Sequence, residues 1–265
     1  MLRFFRQIRQ KLIMTDNTRK YIYYALGEIL LVMIGILLAL QINNWNEDRK
    51  ERDREVSYLI RLNENLNDDG IKMDGRINFF GQIQDYGKVA IDYLEGNTTA
   101  VQNEWDILLA LFQSSQIWPL ILSNSTYDEL KSAGELSLIR NENLRAKLAN
   151  YYGENNTQYE NTVGILPEYR KAIRGKIPLY IQDIIWEKCH EISEDDWQVL
   201  LNCESGLSPS EIKPVLEKIY QDEKILEDLR FWMSNLTVGI DIINNQKILG
   251  EEAIYLINQE LEQFN

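Results

Sequence analysis

The chain has 265 residues with 28 basic and 41 acidic side chains, a formal net charge of −13, and 45% apolar residues. That composition excludes a disordered chain, and the acidic excess argues against a nucleic-acid backbone as a partner. Five Pro and fourteen Gly, without evenly spaced turn clusters, lack the punctuation of an all-β fold and point to helices.

The charge is unevenly spread. Residues 1–20 hold Arg3, Arg6, Arg9, Lys11, Arg19 and Lys20 against Asp16 alone, residues 21–46 contain only Glu28, and the acidic excess follows from Glu47 onward. Leu2, Phe5, Ile8 and Leu12 recur at helical spacing in the basic leader, which suits either a short interfacial helix or a plain topology-setting segment. Tyr21 to Ile42 would span roughly 33 Å as a helix, about the thickness of a bilayer core. Tyr21, Tyr23 and Tyr24 stand at one end and Trp45 just past the other, where amphipathic rings favour the lipid boundary. Basic residues are retained on the cytoplasmic side, so the leader predicts a single crossing with the N-terminus inside. Two readings compete: a cleaved signal peptide with Ile29–Leu40 as its apolar region, against which Leu37-Leu38-Ala39 is not the usual small-residue cleavage pattern, and a buried helix of a soluble protein, in which twelve uninterrupted apolar residues between aromatic and basic anchors would be unusual.

No Pro occurs before Pro119, so the membrane helix is free to continue outward through the mixed-charge run Glu47–Glu55. Leu59, Leu62, Leu66, Met73, Ile77, Phe80, Ile91 and Leu94 keep three-and-four spacing to about Glu95, with a kink or break expected near Gly70 or Gly75. A short buried helix is expected over Ala100–Phe112, another capped by Ser125 or Thr126 and ended by Gly134, and a third capped by Asn141. That third helix runs to about Tyr152 and resumes to Arg174, where Gly175 and Pro178 break the pattern. Ser193–Asp196 is read as opening a helix with Trp197, Leu200 and Leu201, and Ser208–Glu211 as opening the next. From about Asp222 a long amphipathic pattern runs through Leu229, Leu236, Ile243 and Ile257 to Phe264. It needs a partner of similar length, and residues 59–94 supply it. The expected fold is all-α: a transmembrane helix over 21–45 continuing into a stalk, then an acidic helical bundle over 46–265 with long antiparallel first and last helices.

Glu28 lies inside the span, one to two turns from its cytoplasmic end, where a carboxylate is expensive. Gly35 and Ala39 follow seven and eleven residues on, along nearly the same helical face, and Gly35-x-x-x-Ala39 is a small-x-x-x-small contact. Three readings stand: helix association in a homo-oligomer or with another membrane protein, shallow anchoring at the interface, and a proton or ion path. Cys189 and Cys203 are the only cysteines, and the compartment outside the membrane is oxidising. A disulfide, two buried thiols, and metal ligation with His190 are the alternatives. Asp68-Asp69 and Glu194-Asp195-Asp196 are read as helix-end charges. His190 is the sole histidine, with no catalytic triad visible around it.

The run Phe4-Phe5-Arg6-x-Ile8-Arg9-x-Lys11, continuing in Tyr24-Ala25-x-Gly27-Glu28-Ile29-x-Leu31-Val32-x-Ile34-Gly35-Ile36-Leu37-x-Ala39-Leu40-Gln41-Ile42-Asn43-Asn44-Trp45-Asn46-Glu47, resembles the start of a large family of single-pass membrane proteins from Bacteroidota with a domain of unknown function. Tyr127-x-Glu129-Leu130-x-Ser132-x-Gly134-x-Leu136-x-Leu138-Ile139 is similar to its extramembrane portion. The resemblance implies an inner-membrane protein of a Gram-negative cell with its C-terminal domain in the periplasm, and it brings no activity. No cofactor is expected, the expected contacts are membrane lipid and a membrane partner, and the leading function is a non-enzymatic interaction, scaffold or sensor module. A carboxylate-dependent periplasmic enzyme with its cleft beside the 96–220 insertion, or an ion-coupled subunit using Glu28, are the alternatives.

Overall fold

The computed structural model describes residues 18–97, 103–153, 158–193 and 197–264, and these are mostly helical with one small sheet. The expected interfacial helix over 2–12 lies outside the described residues. The chain divides into two compact units, Met1–Ser57 and Tyr58–Asn265.

In the first unit the described residues belong to the opening part of helix α1 (Thr18–Leu94). Its apolar residues are exposed on every side: Ile29 to Ile34 are consecutive exposed side chains, followed by Ile36, Leu37, Leu38, Leu40 and Ile42. Past them the charged residues begin, with Lys50 paired to Glu47 at 3.1 Å one turn back.

In the second unit α1 continues unbroken to Leu94, so no break forms at Gly70 or Gly75. Two of its helix-weakening glycines, Gly75 and Gly87, serve close packing. A Cβ atom at Gly75 would stand 2.1 Å from Cε3 of Trp197, and one at Gly87 would stand 2.2 Å from Sδ of Met233. The helix ends where Gly96 takes φ 75°, letting the Asn97 N–H reach back to the Asp92 carbonyl at 2.8 Å.

Helix α2 (Glu104–Gln113) is capped by Asn103, whose side chain accepts from Asp106 N, and is buried from Ile107 through Gln113. Helix α3 (Ser125–Ser132) has Asn124 as its N-cap, not Ser125 or Thr126. Thr126 is drawn away because its Oγ1 accepts from Asn65 Nδ2 of α1 at 3.0 Å. Gly134 closes the helix at φ 70° as expected. After a 3-10 turn at Leu136–Leu138, helix α4 (Glu142–Tyr151) starts at Asn141, whose Oδ1 accepts from Leu144 N at 3.0 Å.

A π turn (Glu160–Gly164) precedes helix α5 (Glu168–Lys176), which runs through Gly175 rather than stopping there. Pro178 is the true break, since the residue before a proline is driven to extended geometry and Ile177 has ψ 121°. Helix α6 (Leu179–Lys188) leads into strand β1 (His190–Ile192), which pairs antiparallel with β2 (Gln198–Leu200). The helix expected around Trp197 and Leu200 is therefore a strand. Gln198 and Leu200 are both buried, a period of two that the 197, 200, 201 spacing obscured. Helix α7 (Pro209–Tyr220) opens with Ser208 N donating to the Glu211 carboxylate at 2.9 Å, and helix α8 (Glu223–Glu262) closes the chain.

Helix α8 runs antiparallel to the second-unit part of α1. Asn63 donates to Asn258 at 2.7 Å, Asp74 pairs with Lys247 at 2.7 Å, Gln84 donates to Thr237 at 2.9 Å and Glu95 pairs with Arg230 at 2.6 Å. From Asn63 to Gln84 each advance along α1 is matched by an equal retreat along α8, so one register holds over that stretch. Helix α4 packs on α8 with the same sense, through Asn141 to Glu260, Lys147 to Glu252 and Gln246 to the Tyr151 carbonyl. Helices α5 and α7 pack on α2, and Leu66, Leu108, Leu148, Ile173, Ile219 and Ile243 belong to one continuous buried cluster.

Candidate functional sites

The membrane-face residues expected from the sequence all lie on α1 in the first unit. Helical periodicity sets Glu28, Gly35 and Ala39 along one face. Glu28 is half-buried, Gly35 and Ala39 are exposed, and a Cβ built on Gly35 meets nothing within 4 Å, so this strip is open to close approach by another helix. Tyr23 and Trp45 are exposed at the two ends of the apolar run.

Cys189 caps the C-terminus of α6 and is disulfide-bonded to Cys203, with Cα atoms 5.2 Å apart. The bond closes the β1–β2 hairpin, where Leu201 N also donates to the Cys189 carbonyl at 2.9 Å. Both half-cystines are tied to α2: Trp105 Nε1 donates to the Cys203 carbonyl at 2.6 Å and Gln113 Nε2 to that of Cys189 at 3.1 Å.

Asp69 is not a helix-end charge. It lies within α1 and is fully buried, accepting from the Ser123 N–H at 2.7 Å and from the Tyr151 hydroxyl at 2.9 Å, with Lys72 Nζ at 3.8 Å. Burial raises its pKa despite these donors, and burial with the facing carboxylate raises that of Tyr151 far more. Glu194, Asp195 and Asp196 lie outside the described residues.

The sequence reading missed a cluster at the C-terminus of α2. A helix end leaves its last carbonyls without helical partners, and a buried one must find others. Tyr169 donates to the Leu111 carbonyl at 2.8 Å, Trp232 Nε1 to that of Ser114 at 3.1 Å, and Arg170 Nη1 to that of Ser115 at 2.7 Å. One turn further along α5, Arg174 donates through Nε to Ser115 Oγ at 3.1 Å and through Nη2 to Gln116 Oε1 at 2.8 Å. Arg170 Nη1 reaches that same oxygen at 3.3 Å. With its oxygen occupied, the Gln116 amide nitrogen donates to Gln113 Oε1 at 3.0 Å and to His190 Nε2 at 2.8 Å. That makes His190 Nε2 an acceptor and assigns the proton to Nδ1, which donates to the Ile185 carbonyl at 3.0 Å.

His190 is thus a neutral imidazole, and its pKa is lowered by burial and then by the Arg174 charge. Its ring stacks on Trp186 with centroids 4.4 Å apart, and the Arg174 guanidinium lies 4.4 Å from the Phe112 ring centre and 5.1 Å from that of Trp186. Burial brings the Arg170 pKa down to about 10, and burial with the Arg170 charge brings that of Arg174 to about 9. The available signal was the basic run Arg170, Lys171, Arg174, Lys176 within the acidic part of the chain. Among the described residues, no group of three or more His, Cys, Asp or Glu side chains could hold a metal ion.

The model of a family of unknown function, DUF6090, matches residues 28–163, just over half of the chain, and the chain belongs to that family. The matched segment begins at Glu28 and includes Asp69 and Tyr151, whereas Arg170, Arg174, His190 and the disulfide lie beyond it. No curated protein and no solved structure matches.

Proposed function

We propose that this DUF6090 chain is a single-pass, membrane-anchored module of the inner membrane, with its basic leader in the cytoplasm and its acidic helical bundle in the periplasm, where it scaffolds or senses a partner. The observation that carries this reading is the all-round exposure of apolar residues from Leu26 to Ile42 on a helix long and apolar enough to cross a membrane. In water such a surface is a large aggregation liability, whereas lipid covers all of it at once. The basic residues before the span support the orientation, and the Cys189–Cys203 bond suits an oxidising compartment. Glu28, Gly35 and Ala39 then offer a contact face to a second membrane helix.

Alkaline washing of isolated membranes tests the anchor. An integral span keeps the full chain in the pellet until detergent is added, and release into the supernatant by alkali alone would overturn the reading.

A further inference from the structure

We propose that Arg170 and Arg174 form a binding site for a small ligand bearing a doubly charged oxyanion, a phosphate or a dicarboxylate. This inference is independent of the membrane reading, because every group it uses lies in the second unit. It starts from an imbalance of charge. Acidic side chains outnumber basic ones by 41 to 28, and Arg61, Arg230, Lys147, Lys176 and Lys247 each pair with a carboxylate. Arg170 and Arg174 pair with none among the described residues. They are held one turn apart on the same face of α5 with both forks on the single oxygen of Gln116. Two like charges brought to one acceptor repel, and among the described residues no carboxylate is placed against them as a counter-charge.

Capping the α2 terminus does not account for both. The Ser115 carbonyl is satisfied by Arg170 alone, and Arg174 adds a second cation bonded to neutral side-chain oxygens. The negative end of the α2 dipole offsets only part of a charge. Neutral His190 contributes none. Each guanidinium keeps unused donors: among the described residues Arg170 Nε and Nη2 and Arg174 Nη1 make no hydrogen bond, and both side chains are only partly buried. Phe112 and Trp186 flank the Arg174 fork and lower the local polarity, so a bound anion would feel the charges more strongly than at an open surface. A planar fork presents parallel donors to oxyanions, and a dianion neutralises two forks where a monoanion neutralises one.

The test is calorimetric titration of the full chain in detergent, near neutral pH, with sodium phosphate in one arm and sodium succinate in the other, ionic strength being fixed with sodium chloride. Saturable binding at one site is expected in at least one arm: phosphate alone identifies a phosphate ligand, and succinate alone a dicarboxylate. Arg170→Gln removes one charge, and Arg174→Lys keeps its charge but loses the fork. Each is expected to weaken binding about tenfold or more, while Arg230→Gln leaves it unchanged. Helical circular dichroism checks the fold of each variant. If neither arginine variant folds, the parent titration decides alone. Absence of saturable binding in both arms up to about 10 mM, or equal affinity in folded Arg174→Lys and Arg230→Gln, overturns the proposal.

Discussion

Trp197 packs so closely on Gly75 that a methyl group there would stand 2.1 Å from its Cε3 atom. Helix propensity favours alanine over glycine by about 1 kcal/mol, and at Gly70, where nothing lies within 4 Å of a built Cβ, that preference meets no opposition. Gly70→Ala is expected to raise stability by up to about 1 kcal/mol. Gly75→Ala is expected to lower it by about 1–3 kcal/mol, since the indole or the backbone must shift. Urea unfolding of the purified chain followed by circular dichroism ranks them, and a stabilising Gly75→Ala would contradict the packing.

Asp69 makes a second stability prediction, in which sign matters. Its folded pKa is raised above the unfolded value, so the folded state keeps the proton to higher pH. The resulting stabilisation is fully present below the unfolded pKa and is lost as pH rises through the folded one. Asp69→Asn cannot take up this proton and presents an amide where two donors converge, at an expected cost of about 1–3 kcal/mol at neutral pH. The gap between parent and variant should widen as pH falls from neutral through the folded pKa of Asp69. Melting temperatures across that range check it, and a narrowing gap would contradict the assignment.

Reducing the Cys189–Cys203 bond frees a loop spanning 14 residues. Loop-closure entropy puts the loss at about 3 kcal/mol. Mass spectrometry of unreduced, alkylated protein from membranes should show no labelled thiol, and the reductant should lower the melting temperature. Two labelled cysteines in the mature protein would contradict it.

On the proposed membrane span, Gly35→Leu fills the open strip beside Glu28 and is expected to block close helix approach. Glu28→Gln keeps size and hydrogen bonding, so it should weaken association only modestly, by about 0.5–2 kcal/mol. Cross-linking yields in membranes measure both. A parent that cross-links no better than Gly35→Leu would leave the strip without a partner helix.

What was legible in the sequence follows from the range over which each signal acts. The long amphipathic stripes of 59–94 and 222–264 foretold two long helices, because a three-and-four spacing sustained over many turns has no strand equivalent. Gly134 and Asn141 were legible as local signals that need no tertiary context. Gly75 was misread because the reason for it lies at Trp197, far along the chain, and Thr126 because Asn65 claims its hydroxyl. The strand at Gln198–Leu200 was hidden because three residues are too few to separate a period of two from one of three or four. For the same reason Arg170, Arg174, Gln116 and His190 stayed invisible as a cluster. They converge from α5, the loop after α2 and β1, and only the folded α2 terminus brings them together.

The central claim is the topology, and paired reporters fused after Asn265 test it most directly in cells. A reporter active only in the periplasm should be active there, and one active only in the cytoplasm should be silent. The reverse pattern would place the acidic domain with the basic leader on the cytoplasmic side and contradict the account.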